Sequence, residues 1–331
     1  MKSPDEPAAL QSGPASQDGS TAMTDNGAWS ESTRDRIAAA LVEHAPAGPQ
    51  TEAHLEAIIT SLATQPGKLV RGRLVLATTD AHGVDERVGL TLAAAVEYFH
   101  IASLLLDDLP CMDDAQIRRG QPCAHRVHGE ASAILAALAF INRGYSLAGF
   151  ALAEQPLQVR LQAQACLDAS LGTAGLVGGQ ARDLRFAAGD RSVREVSRVA
   201  MTKTGAMMWL GLVLPALLAA PGRGEVRALE ALCIYWGLAF QALDDLNDVL
   251  TTSVDAGKST RRDRVLARPN LAVALGVPAA RVRIMRLLRQ AYRQVHRLVA
   301  LRPAWAYLEG FHLYFVEMAV PHSAKPGEIA A

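Results

Sequence analysis

Aromatic residues make up only 5% of the 331-residue chain, too few for the aromatic and β-branched runs that strands favour. A charge of one sign is also missing: the formal net charge is zero, which argues against a general nucleic-acid binder. The four cysteines, Cys111, Cys123, Cys166 and Cys233, contain no Cys-x-x-Cys pair. Neither a zinc site nor a disulfide framework is indicated, and a reducing, cytoplasmic compartment is the expectation. The opening stretch MKSPDEPAALQSGPASQDGS lacks the apolar core of a signal peptide. The longest apolar run, Ala206 to Ala220, is interrupted by Gly211 and Pro215 and falls short of the roughly 20 residues a membrane helix needs. It reads as a buried helix, with no membrane span. Lysine is the scarcest charge, with five against 28 arginines.

What is present is apolar and helix-forming. Half of the residues are hydrophobic, and the long segments are dominated by Ala and Leu, which favour helix. Residues 1–30 are rich in Ser, Gly, Pro and Asp without periodicity and read as a disordered tail. From near Ser32, where Ser and Thr precede RDRIAAALVEHA, helix follows helix to about residue 320. Short breaks fall at Gly83, Gly120, Gly189, Pro221 and Pro278. No alternating strand pattern competes. The expectation is an all-α fold, one large helical-bundle domain over 31–320, with a flexible tail at 321–331.

Two acidic clusters sit on this apolar background. AVEYFHIASLLLDDLPCMDDAQIRRG carries Asp107, Asp108, Asp113 and Asp114, and YWGLAFQALDDLNDVL carries Asp244, Asp245 and Asp248. Carboxylates on an apolar helix repel one another and lose hydration, a penalty that a hard cation removes. Asp244 and Asp248 are four apart and share a helix face. Asp107 and Asp113 are six apart and would diverge on a straight helix, but Pro110 breaks the turn between them. One such cluster could equally be a solvated helix end; two, each closing an apolar helix, point to metal. Oxygen ligands without His or Cys suit Mg²⁺, which usually serves a phosphate-bearing substrate.

These stretches resemble the two aspartate-rich motifs of the isoprenyl diphosphate synthases, Asp-Asp-x-x-x-x-Asp followed by Arg-Arg-Gly, and Phe-Gln-x-x-Asp-Asp-x-x-Asp. The similarity runs from about Gly67 to Arg268. The resemblance implies a helical bundle around a central active-site cavity, a homodimer, and condensation of isopentenyl diphosphate with an allylic diphosphate. Asp107, Asp108, Asp113, Asp244, Asp245 and Asp248 would hold Mg²⁺. Lys68 and Arg71 match a Gly-Lys-x-x-Arg segment. His100 and Arg119 complete the implied isopentenyl diphosphate site. Arg118, Lys203, Thr204, Gln241 and Lys258 match positions holding the allylic diphosphate, and Arg268 stands where a second Lys is frequent. Lys68, Lys203 and Lys258 are the only lysines between residues 3 and 324, each beside Gly or Thr in a loop-like context. A compact ammonium suits phosphate there, although a lone His such as His100 is more often a core residue. The chain departs from the pattern at Leu69 (usually Arg), Gly72 (usually Pro) and Cys123-Ala124.

Product length is implied by residues preceding Asp107, where the family's growing tail runs. Ala102 and Ser103 are small, where an aromatic would stop the chain at farnesyl diphosphate, and Phe99 lies one turn further back as a floor or as a plain core residue. The expectation is a geranylgeranyl diphosphate synthase. The alternatives are a farnesyl diphosphate synthase, a class I terpene cyclase, or a non-catalytic synthase subunit.

Overall fold

The computed structural model describes residues 29–188, 192–250 and 268–319. Lys258, Gly189 and both predicted tails, apart from Trp29 and Ser30, lie outside the described residues. Helix α1 (Glu31–Glu43) starts slightly earlier than the Ser32 signal, because Ser30 is the cap: its side chain accepts from Thr33 N–H. It is followed by α2 (Ala53–Thr64), α3 (Val70–Ala81) and α4 (Glu86–Asp107). Helix α4 begins after Gly83, whose φ of 69° suits glycine. Asp85 caps it by accepting from Arg87 N–H. Its 22 residues span roughly 33 Å at 1.5 Å per residue, and it packs along α3 and α6.

The Arg-Arg-Gly stretch is a two-strand hairpin, not a plain helix break. Strand β1 (Ile117–Arg118) pairs antiparallel with β2 (Gln121–Pro122). Arg119 and Gly120 between them have φ of 54° and 74°, the pair of positive values a tight two-residue turn requires. These short strands are too brief to carry a period-2 signal.

Next come α5 (Ala124–His128), α6 (Glu130–Ala151), α7 (Leu157–Leu171), α8 (Leu176–Arg185) and α9 (Val193–Ala200). Helix α9 runs through a π-helical turn, Met201–Gly205, into α10 (Ala206–Ala216). Lys203 therefore stands on a widened helical turn, not in the loop its Gly and Thr neighbours suggest. Such turns are uncommon and cluster at functional sites. Helix α11 (Arg223–Leu250) carries the second aspartate cluster, followed by α12 (Leu271–Leu275), α13 (Val277–Leu301) and α14 (Tyr307–Ala319). The break before α13 is Gly276, with φ 80°, while Pro278 sits inside the first turn, where its missing N–H is harmless.

One continuous core joins these helices, with Trp236, Trp305, Tyr98, Phe140, Phe311 and Phe315 fully buried. Burying such side chains contributes about 1.5–3 kcal/mol each. By length and composition alone, four segments could cross a membrane: Glu86–Asp107, Glu130–Ala151, Val193–Ala219 and Arg223–Leu250. The expectation of no span, drawn from one interrupted run, underestimated these stretches. In the window of Glu86–Asp107, 67% of the residues are buried inside the protein.

Candidate active site

The ends of α4 and α11 meet at one cavity of about 370 Å³. Helix α4 stops at Asp107, and the chain folds back on it. Asp113 N–H donates to the Asp107 carbonyl at 2.9 Å and Ala115 N–H to the Asp108 carbonyl at 3.2 Å. This turn returns Asp113 to the helix end, so two residues six apart both line the cavity. Asp108 does not line it. The residue is 5% exposed, and its carboxylate is held by Arg118 through Nε at 2.7 Å and Nη2 at 2.5 Å. The first cluster thus presents Asp107 and Asp113, with Asp108 anchoring an arginine.

From α11, Asp244, Asp245 and Asp248 line the same cavity. Asp245 is 1% exposed; its Oδ1 accepts from Gln241 Nε2 at 2.8 Å and its Oδ2 from Leu271 N–H at 2.7 Å. Thr204 and Gln241 join the same network through a 2.6 Å contact. Asp245 therefore fastens α12 and orients Gln241, while Asp244 and Asp248 line the cavity beside it.

The cations are placed as sharply. Lys203 Nζ lies 2.9 Å from Asp183 Oδ2 and 3.5 Å from Asp107 Oδ2. Burial works against the ammonium, but Asp107, Asp183 and Asp113 outweigh it and raise the Lys203 pKa. Burial pushes Asp107 up to about 6; Lys203 opposes this and Asp113 adds to it. Arg268 donates through Nη2 to the Met112 carbonyl at 2.8 Å and to Asp113 at 2.9 Å. Arg71, His100 and Arg119 line the cavity too. Burial, reinforced by Arg71, Arg119 and Arg118, holds the His100 pKa well below its usual range, so the ring is neutral. Lys68 is exposed and does not line the cavity; its ammonium is 6.0 Å from the Tyr314 ring centroid.

Of the three residues tied to product length, Ser103 lines the cavity, whereas Ala102 and Phe99 are buried beside it in the core. The Phe99 ring lies against Gly144 of α6, where an added Cβ would come within 2.7 Å of Cε1. The apolar wall includes Leu104, Leu176, Val196, Val199, Met207 and Phe240.

Asp183 escaped the sequence reading. Gly178-Gly179 one turn before it was the available signal, since paired glycines inside a helix mark close backbone approach. Gly179 packs on the backbone of Lys203: an added Cβ would lie 2.5 Å from the Lys203 nitrogen. That closeness lets Asp183, four residues on and on the same face, reach Lys203.

The donor set fits Mg²⁺ bound together with a diphosphate. Among the described residues no three His, Cys, Asp or Glu side chains converge as a finished metal cage. Mg²⁺ characteristically uses one or two carboxylates and fills its octahedron with phosphate oxygens and water. Among the described residues, buried Arg71 Nε and Arg268 Nε have no hydrogen-bond partner, and buried donors rarely stay unpaired. An anion in the cavity would satisfy them.

Known proteins resemble this chain in sequence and in fold. The polyprenyl synthetase family model matches residues 52–301. A geranylgeranyl diphosphate synthase of Pseudescherichia vulneris is 36% identical over 76% of this chain and 80% of its own. A farnesyl diphosphate synthase of Geobacillus stearothermophilus is 32% identical over 73% and 82%. A Helicobacter pylori geranyltransferase, solved with magnesium and isoprenyl diphosphate, shares the fold at a TM-score of 0.79. It is 24% identical, and the match covers 90% of this chain and 99% of that one. The chain belongs to the polyprenyl synthetase family, whose members here are short-chain trans-prenyltransferases.

Proposed function

We propose that this protein condenses isopentenyl diphosphate with allylic diphosphates, requires Mg²⁺, and releases mainly the C20 product geranylgeranyl diphosphate. The observation that carries the reading is the convergence of Asp107, Asp113, Asp244 and Asp248 on one cavity that also collects two sets of cations. Lys203 and Arg118, with Arg268, sit by the aspartates and match the allylic diphosphate. Arg71, His100 and Arg119 match isopentenyl diphosphate.

Mg²⁺ bound at the carboxylates supplies Lewis-acid neutralisation of the diphosphate. Lys203 and Arg118 stabilise the charge that grows on the leaving oxygen as the allylic C–O bond breaks. Arg71, Arg119 and His100 hold the second substrate so that its double bond attacks the allylic carbon, replacing a chance collision. The new C–C bond leaves a cation one carbon away, and the departing diphosphate takes the proton that restores the double bond. The apolar wall excludes water while the cation lives.

The C20 product rests on small Ala102 and Ser103 and on Phe99 as the floor behind them. A farnesyl diphosphate synthase is the nearest alternative, favoured by the Geobacillus relative. A non-catalytic subunit fits poorly with two aspartate clusters reaching one cavity. We place the enzyme in the cytoplasm, consistent with four cysteines that form no disulfide, and read it as a homodimer. The apolar side chains left exposed on α6 and α7, Leu135, Leu138, Phe150, Leu157 and Leu161, would be covered by a second copy. The test is labelled isopentenyl diphosphate with dimethylallyl, geranyl or farnesyl diphosphate, followed by chromatography of the dephosphorylated products. C20 from all three primers is expected. A stop at C15 with farnesyl diphosphate unused would refute the length assignment.

A further inference from the structure

Helix α3 begins without a cap of its own. Leu69, before its first turn, has a left-handed backbone with φ 53° and no side-chain acceptor. The N–H groups of a first helical turn need acceptors from elsewhere. Here one comes from α4: Glu97 Oε1 accepts from Gly72 N–H at 2.7 Å. Glu97 is 4% exposed, and a charge buried so deeply is expensive unless compensated. Burial pushes its pKa up, while the Gly72 bond and the Arg71 and Arg119 charges pull it back.

Gly72 makes this contact possible in two ways. Proline, usual there in the family this chain resembles, has no N–H to give. An added Cβ would also come 3.1 Å from Glu97 Cγ and 3.2 Å from Oε1. On the other side, the Arg119 guanidinium rests on Gly67, where a Cβ would lie 2.5 Å from Cζ. Arg71 is the second residue of α3, so capping that turn fixes the base of its side chain. Two arginines aimed at one anion repel each other until it arrives, and Glu97 is the buried acid whose charge acts on both.

We infer that Glu97 is a positioning residue for the second diphosphate: it caps α3 at Gly72 and balances the Arg71–Arg119 pair, so that both guanidiniums stand ready for isopentenyl diphosphate. This rests on reading Arg71, His100 and Arg119 as that substrate's site. A structural role alone would lower stability and disturb both substrates alike; a positioning role moves one KM.

The test compares wild type, Glu97→Gln and Gly72→Ala in steady-state kinetics with each substrate varied, alongside calorimetric titration with isopentenyl diphosphate and thermal melts. Glu97→Gln keeps an acceptor and removes the charge. It is expected to raise the KM for isopentenyl diphosphate about tenfold, the scale of a charge-assisted hydrogen bond, with the allylic KM within about twofold. Gly72→Ala keeps the N–H but crowds Glu97, and should raise the same KM by a smaller factor. An unchanged isopentenyl KM in Glu97→Gln, or equal rises in both KM values, overturns the role of Glu97 while leaving prenyl transfer intact. If Glu97→Gln does not fold, Gly72→Ala decides by the same split. A wild type that neither binds nor consumes isopentenyl diphosphate overturns both readings.

Discussion

Gly179→Ala tests how Lys203 is held. The added Cβ would meet the Lys203 nitrogen at 2.5 Å, the Thr202 carbonyl carbon at 2.7 Å and Lys203 Cα at 2.9 Å, where ordinary contact begins near 3.4 Å. All three are backbone atoms and none can rotate aside, so α8 and the π-helical turn must part by about 1 Å, with overpacking costing about 1–3 kcal/mol. The better helix propensity of Ala returns part of that. Parting pulls Asp183 from Lys203, now 2.9 Å away, and shifts Lys203 relative to Asp107. A misplacement of about 1 Å in a catalytic constellation can lower kcat/KM by about 10². Melting curves and steady-state kinetics are the assay, with Gly224→Ala as the control. Its Cβ would find only Leu301 Cδ1, at 3.6 Å, so stability and rate should stay at or above wild type. Gly179→Ala with wild-type Tm and kcat/KM would refute the argument.

Two further outcomes are expected. Ala102→Tyr should shorten the product to C15 and Phe99→Ala should lengthen it, read by chromatography; unchanged products from both would remove α4 from length control. His312 is held near pKa 4 by burial, with His296 adding to the shift. Because its folded pKa lies below the unfolded value of 6.5, protonation favours the unfolded chain. Stability present above about pH 6.5 should then fall by about 2 kcal/mol as pH drops towards 4, after discounting for partial exposure. His312→Gln, which keeps an acceptor for Trp236 Nε1, should flatten this dependence in melts at pH 7 and pH 5; an equal loss in both proteins would contradict it.

The helical fold and both aspartate clusters were readable because apolar periodicity and clustered carboxylates are local patterns. Pro110 announced the turn that returns Asp113 to Asp107. Other features depend on contacts across the chain. Nothing local says that Asp108 turns to Arg118, or that Leu271 N–H occupies Asp245. The Met201–Gly205 turn resembled a loop because Gly and Thr are poor helix formers. It stays helical through the close approach of Gly179 and Gly237 to its backbone. Glu97 stood beside His100 in the sequence, but its partner Gly72 lies 25 residues earlier. The Arg119–Gly120 turn was visible only as a break because its strands are two residues each.

The central claim is that carboxylates from two helices act together on one diphosphate. Its most direct test is kcat for Asp107→Ala and Asp244→Ala at saturating Mg²⁺ and substrates, with circular dichroism as the check on folding. Each change should lower kcat by at least about 10², the scale of losing a positioned transition-state contact, while the helical signal is retained. Near-wild-type turnover in either folded variant would contradict the account.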